Sequence, residues 1–163
     1  MCRFKSMLVV KEIGIIYSED HDSHSRLVVE NEIRETPDLS SRNYVSVEIT
    51  SENDYFSLNR EDWKISYDEE SSIPTWYSKE EMEEKIIDTV ISIVKKMIKT
   101  GRFLGDCDLR EYAHALPSGL TSIGGNCYLN EYAHALSAGL TSIGGYCSLG
   151  EYAHALSKTV RVS

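Results

Sequence analysis

The feature that most constrains this chain is an internal repeat of period 20 in its C-terminal third. Glu111 through Gly125 recurs as Glu131 through Gly145, with only Pro117 replaced by Ser137 and Ser118 by Ala138. A further copy begins at Glu151 and loses the pattern after Leu156, and an imperfect earlier one runs back through Phe103 and Gly105. A unit this short cannot bury an apolar face alone, so the self-similarity implies stacked windings that share one continuous interior.

Within a winding, Leu120, Ile123, Cys127, Leu129 and Leu136 are the natural inward set. Short strands are expected around Leu120–Ile123 and Asn126–Leu129, with the Gly124-Gly125 pair forming a corner that β-branched residues could not make. Three of the four cysteines (Cys107, Cys127 and Cys147) occupy one equivalent position. That regularity assigns them to packing as small apolar side chains, and it agrees with a reducing compartment.

The residues alternating with the constant Cys and Leu positions do change between copies. They read Asp106, Asn126, Tyr146, then Asp108, Tyr128, Ser148, then Arg110, Asn130, Gly150. Successive strand side chains point to opposite faces, so these variable positions are expected to share an outward face. The partner-binding surface expected from this pattern comprises Asp106, Asp108, Arg110, Asn126, Tyr128, Asn130, Tyr146 and Ser148. His114, His134 and His154 stack in the same way, but ligands must converge to about 2.0–2.1 Å from one ion. Neighbouring paired strands lie about 4.8 Å apart, so no metal and no cofactor is expected there.

The unit Leu-Pro-x-Gly-Leu-Thr-Ser-Ile-Gly-Gly-x-Cys-x-Leu resembles the short leucine-rich repeats of bacterial and phage proteins, in which Leu more usually fills the Cys position. The opening Met-Cys-Arg-Phe-Lys-Ser, with Asp22-Ser23-His24, Trp63 and Pro74-x-Trp76, is similar to an N-terminal domain of gut bacterial and phage proteins that carry variable repeat tails. The resemblance implies a leucine-rich-like β-solenoid that binds a protein partner. In a phage or mobile-element setting, it further implies inhibition of a host defence protein in the manner of an anti-CRISPR.

The first hundred residues read as α+β, a small antiparallel sheet packed with one long helix. Ser6–Val10 and Ile13–Tyr17 suggest a hairpin, Arg26–Ile33 a short helix, and the alternating runs Tyr44–Thr50 and Trp63–Tyr67 two strands of one antiparallel sheet. A helix over about 79–99 is expected to open with a capping box of Ser78 and Glu81, and to carry Lys95, Lys96 and Lys99 before Gly101. Its stripe of Met82, Ile86, Ile87, Val90, Ile91, Val94 and Ile98 should face the sheet, and its end should cap the first winding. The domains are therefore 1–100 and 101–163.

Charge narrows the function classes. The net charge is -9, and residues 48–84 hold 12 acidic and 3 basic side chains. Direct nucleic-acid binding needs clustered Lys and Arg and is not expected; a basic, nucleic-acid-binding protein suits such a surface as partner. The apolar run Ile86–Ile98 is broken by Asp88, Lys95 and Lys96, so no membrane span is expected, and without a secretory signal the cytoplasm is the default.

The competing class is an enzyme with Cys2 as N-terminal nucleophile. His24 or His21 would be its base, Asp22 or Asp38 the orienting group, and Arg3 and Lys5 the charges favouring thiolate. The Met-Cys start is similar to N-terminal nucleophile amidotransferases and abasic-site crosslinking proteins in that dipeptide alone, since their usual following glycine is here Arg3. No phosphate loop, paired CxxC or HExxH motif accompanies it. A third reading is homo-oligomerisation through the edge-like tail Val160-Arg161-Val162.

Overall fold

The structure, a computed structural model, describes residues 3–34, 42–52, 56–68, 73–108, 119–128, 139–148 and 161–162. Strand β1 (Arg3–Val10) turns through Lys11–Ile13 into β2 (Gly14–Ile16), and the two pair antiparallel with Leu8 opposite Ile16. A short helix α1 (His24–Glu30) follows, opened by Ser23, whose hydroxyl accepts from the Arg26 amide. Strands β3 (Tyr44–Ser51) and β4 (Trp63–Tyr67) complete an antiparallel sheet of order β2-β1-β3-β4. A bulge between Arg3 and Lys5 shifts the β1–β3 register.

Alternation along β1 and β3 divides the apolar residues between two faces. Met7, Val9, Val45, Val47 and Ile49 pack on one side with helix α2 (Lys79–Thr100), while Leu8, Val10 and Tyr44 pack on the other with Leu27 and Val28 of α1. The α2 stripe is Ile86, Val90, Ile91, Val94 and Met97; Ile98, expected in it, is 43% exposed. Each four-residue step overshoots a full turn by about 40°, so by residue 98 the row has drifted away from the sheet and a three-residue step to Met97 restores it. The expected capping box is absent as well: Ser78 makes no side-chain cap bond, and the Glu81 carboxylate accepts from Lys85 Nζ at 2.5 Å.

Helix α2 stops at Gly101, whose φ of 68° is in the left-handed region and whose N–H donates to the Met97 carbonyl at 2.8 Å. The chain then enters β5 (Arg102–Phe103) directly. From there, two-residue strands repeat: β6 (Cys107–Asp108), β7 (Ser122–Ile123), β8 (Cys127–Tyr128), β9 (Ser142–Ile143), β10 (Cys147–Ser148) and β11 (Arg161–Val162). They form two parallel ladders, β5-β7-β9-β11 and β6-β8-β10. Ser122 pairs with Ser142 and Cys127 with Cys147, an offset of 20, whereas Arg161 pairs with Ser142 at an offset of 19.

The apolar interior crosses from sheet to ladders without a break. Phe4, on β1, lies 4.8 Å from the Trp63 ring and 5.9 Å from the Phe103 ring. Phe103 leads on to Cys107, Leu120, Ile123, Cys127, Leu140 and Ile143 in the same buried cluster. Leu129 and Leu136, also expected inside, lie outside the described residues. No helix among the described residues is long and apolar enough to cross a membrane.

Candidate functional site

The ladders are held together by more than strand pairing. Thr121 Oγ1 donates to the Gly101 carbonyl at 2.8 Å, and Thr141 Oγ1 repeats the bond to the Thr121 carbonyl at 3.0 Å. On the second ladder, Asp106 Oδ1 accepts from the Asn126 amide at 2.7 Å, and Asn126 Oδ1 accepts from the Tyr146 amide at 2.8 Å. An Asp or Asn at this position therefore satisfies the backbone of the next rung, and each such bond contributes about 1 kcal/mol. Tyr146 has no side-chain carbonyl, so the series stops with it.

The glycine corner has a different cause from the one expected. Gly124, Gly125, Gly144 and Gly145 are not at positive φ. A Cβ on Gly124 would lie 2.7 Å from the Leu104 carbonyl oxygen, and one on Gly145 2.6 Å from Asn126 Oδ1. Close approach of successive rungs, rather than backbone conformation, requires glycine here.

Inside, Cys107 and Cys127 are fully buried and Cys147 half-buried, all with free thiols. A thiol–thiol hydrogen bond with Cys107, together with burial, pushes the Cys127 thiol well above its ordinary range, and a bond with Cys127 does the same for Cys147. A thiol whose pKa is raised in this way is a poor nucleophile, and the Cys127 and Cys147 side chains act as packing.

Outside, the expected binding residues divide by role. Asp106 is exposed and Asn126 half-buried, each with a carbonyl or carboxylate oxygen committed to the next rung. Asp108, Tyr128 and Ser148 are half-buried neighbours across β6, β8 and β10. Tyr146 is 65% exposed, and its ring lies 6.4 Å from that of Tyr128 at an interplanar angle of 53°. Arg110, Asn130 and the Glu, Tyr and His positions of each repeat lie outside the described residues, as does Cys2.

Residues assigned to the enzyme alternative are arranged differently from its expectation. His24 is oriented by Asp68, with Nδ1 2.9 Å from Oδ2, and its Nε2 donates to the Val47 carbonyl at 2.9 Å. Asp22, expected to orient it, accepts instead from the Ser6 amide, and Asp38 lies outside the described residues. His21 accepts from the Ser23 amide through Nδ1 at 3.3 Å, which leaves Nε2 to donate to Glu30 at 2.9 Å. Lys5, expected to favour a Cys2 thiolate, is 2% exposed and donates to the carbonyls of His21 at 3.2 Å and Glu19 at 3.4 Å. Burial lowers its pKa against the opposing field of Asp22, Asp20, Asp106 and Glu19. Lys5 also lines a cleft of about 260 Å³ between Tyr17, Met97 and Phe103.

Among the described residues, one group of potential metal ligands is close enough to share an ion: His24, Glu48 and Asp68, whose ligand atoms all lie within 4.8 Å of one another. Neither Glu48 nor Asp68 was expected to join His24 at a site, because Glu48 lies within β3, Asp68 follows β4, and no spacing in the chain links them to the histidine. Compared with protein-family models, curated proteins and solved structures, the chain matches none.

Proposed function

We propose that the windings after residue 100 close into a short leucine-rich-like solenoid, and that its outer face binds a protein partner. The observation carrying this reading is the Tyr128–Tyr146 pair. Two large aromatic rings in mutual contact, one of them 65% exposed, supply the wide amphipathic anchor that dominates binding energy at protein interfaces. Asp106 and Asp108 flank the pair on the first winding and suit a basic partner, as does the negative charge of residues 48–84. Inhibition of a host defence protein, in the manner of an anti-CRISPR, is the role we attach to such a surface, on the likeness of its repeats to those of phage proteins.

Self-assembly by continued stacking is the weaker reading at one position. A following rung would present an amide at Tyr146, which brings no oxygen placed like that of Asp106 or Asn126 to accept it. A binding face needs no such continuation.

Affinity capture from a native host lysate tests the binding reading. With Tyr128→Ala and Tyr146→Ala combined, retention of the captured partner is expected to fall by roughly 30-fold or more, the loss of at least one hot-spot side chain of about 2 kcal/mol. Thermal unfolding should stay close to that of the parent chain. Retention unchanged in the double variant, with the fold intact, would remove this face as the binding surface.

A further inference from the structure

His24 lies between a backbone carbonyl and two carboxylates. Its Nε2 faces the Val47 carbonyl at 2.9 Å, and a carbonyl only accepts, so Nε2 carries a proton. In the neutral imidazole Nδ1 then carries a lone pair, and that atom lies 2.9 Å from an Asp68 carboxylate oxygen. The carboxylate of Glu48 lies within 4.8 Å of the same atoms. One nitrogen and two carboxylate oxygens are thus close enough together to share one cation, which would be attracted by all three.

We propose that His24, Glu48 and Asp68 bind a first-row divalent transition cation. Three arrangements support this over a second proton on the imidazole. The backbone carbonyl on the far nitrogen fixes the ring and its tautomer in the way that metal-binding histidines are fixed. A single proton bridges one carboxylate to His24, whereas a cation can take a ligand atom from each of the three residues. The three ligands also stand on separately anchored elements: His24 opens α1, held to the sheet by Leu27 and Val28; Glu48 lies within β3; Asp68 follows β4, where Ser66 pairs with Glu48. One nitrogen and two oxygens favour zinc-like ions over Mg2+, which prefers oxygen alone, and three protein ligands leave a position for water or substrate.

The test is titration of the full chain with Zn2+ by calorimetry and with Co2+ by visible absorption, with Mg2+ as the comparison ion. Co2+ distinguishes this site from the cysteines, because thiolate ligation adds an intense charge-transfer band that N/O ligation lacks. One Zn2+ per chain is expected, without that band for Co2+, and with weak or no uptake of Mg2+. Asp68→Asn and Glu48→Gln preserve shape while removing charge, and each should weaken Zn2+ by at least the roughly 10–100-fold that loss of an outer-shell partner costs. Zn2+ should raise the Tm of the parent chain and not that of His24→Gln. Absence of saturable binding, a thiolate band, or affinity unchanged from the parent chain in the Asp68→Asn and Glu48→Gln variants would overturn the proposal and leave His24 as a polar clip between α1 and the sheet.

Discussion

Phe4→Ala is expected to destabilise the chain by about 3–5 kcal/mol, the usual range for removing a buried aromatic side chain. The ring is 2% exposed and contacts Trp63, Phe56 and Phe103, with centroid separations of 4.8, 6.2 and 5.9 Å. Phe56 and Phe103 also meet each other, at 5.2 Å and near right angles. Removing Phe4 therefore takes away the piece shared by the sheet and the first rung. Chemical denaturation gives the size of the loss, and hydrogen exchange should show faster opening at Ile123 as well as at Val47. A loss below about 1 kcal/mol, or one confined to the sheet, would mean that sheet and ladders are not one packed interior.

Gly124→Ala should destabilise by about 1–3 kcal/mol or more, through overpacking. The new methyl would meet the Leu104 carbonyl oxygen at 2.7 Å and its Cα at 3.0 Å. Both are backbone atoms, so relief requires the neighbouring rungs to separate. Gly119→Ala is the internal comparison, because its Cβ would come no closer than 3.9 Å to the Ile98 carbonyl and its φ is not positive. That substitution should lie within about 0.5 kcal/mol of the parent, or stabilise slightly by restricting the unfolded chain. Equal effects in thermal or denaturant unfolding would show that glycine at 124 is not set by the neighbouring rung.

The parts of this architecture legible in the sequence are those in which spacing along the chain is itself the physical cause. Period-2 alternation through Val45, Val47 and Ile49 put these three on one sheet face, and they are buried there. Helical spacing marked Ile86, Val90 and Val94, and the 20-residue identity placed Cys107, Cys127 and Cys147 in register. Even so, the helix stripe was misread at Ile98, where drift of the 3.6-residue turn hands the core position to Met97.

What local spacing could not supply is register across strands. Asp68 reaches His24 only because β4 pairs with β3, 44 residues further along the chain than the histidine, so the nearer Asp22 was the natural but wrong partner. Lys5 was expected to favour a Cys2 thiolate; it pairs with Ile49 in alternation with Met7 and Val9, which carries it inside, against the Glu19 and His21 carbonyls. The glycine corner was found at the right place for a reason that only the neighbouring rung reveals. Asp106 and Asn126 were read as freely varying, yet both are drawn from the small set of residues able to offer an oxygen to the next amide.

The most direct measurement is a set of nuclear Overhauser contacts between backbone protons of successive rungs in the intact chain. Cross-peaks are expected between Ser122 and Ser142 and between Cys127 and Cys147, at a separation of 20, and between Arg161 and Ser142, at 19. Helical contacts at three and four residues through 119–128, or no contact between residues 20 apart, would contradict the stacked ladder.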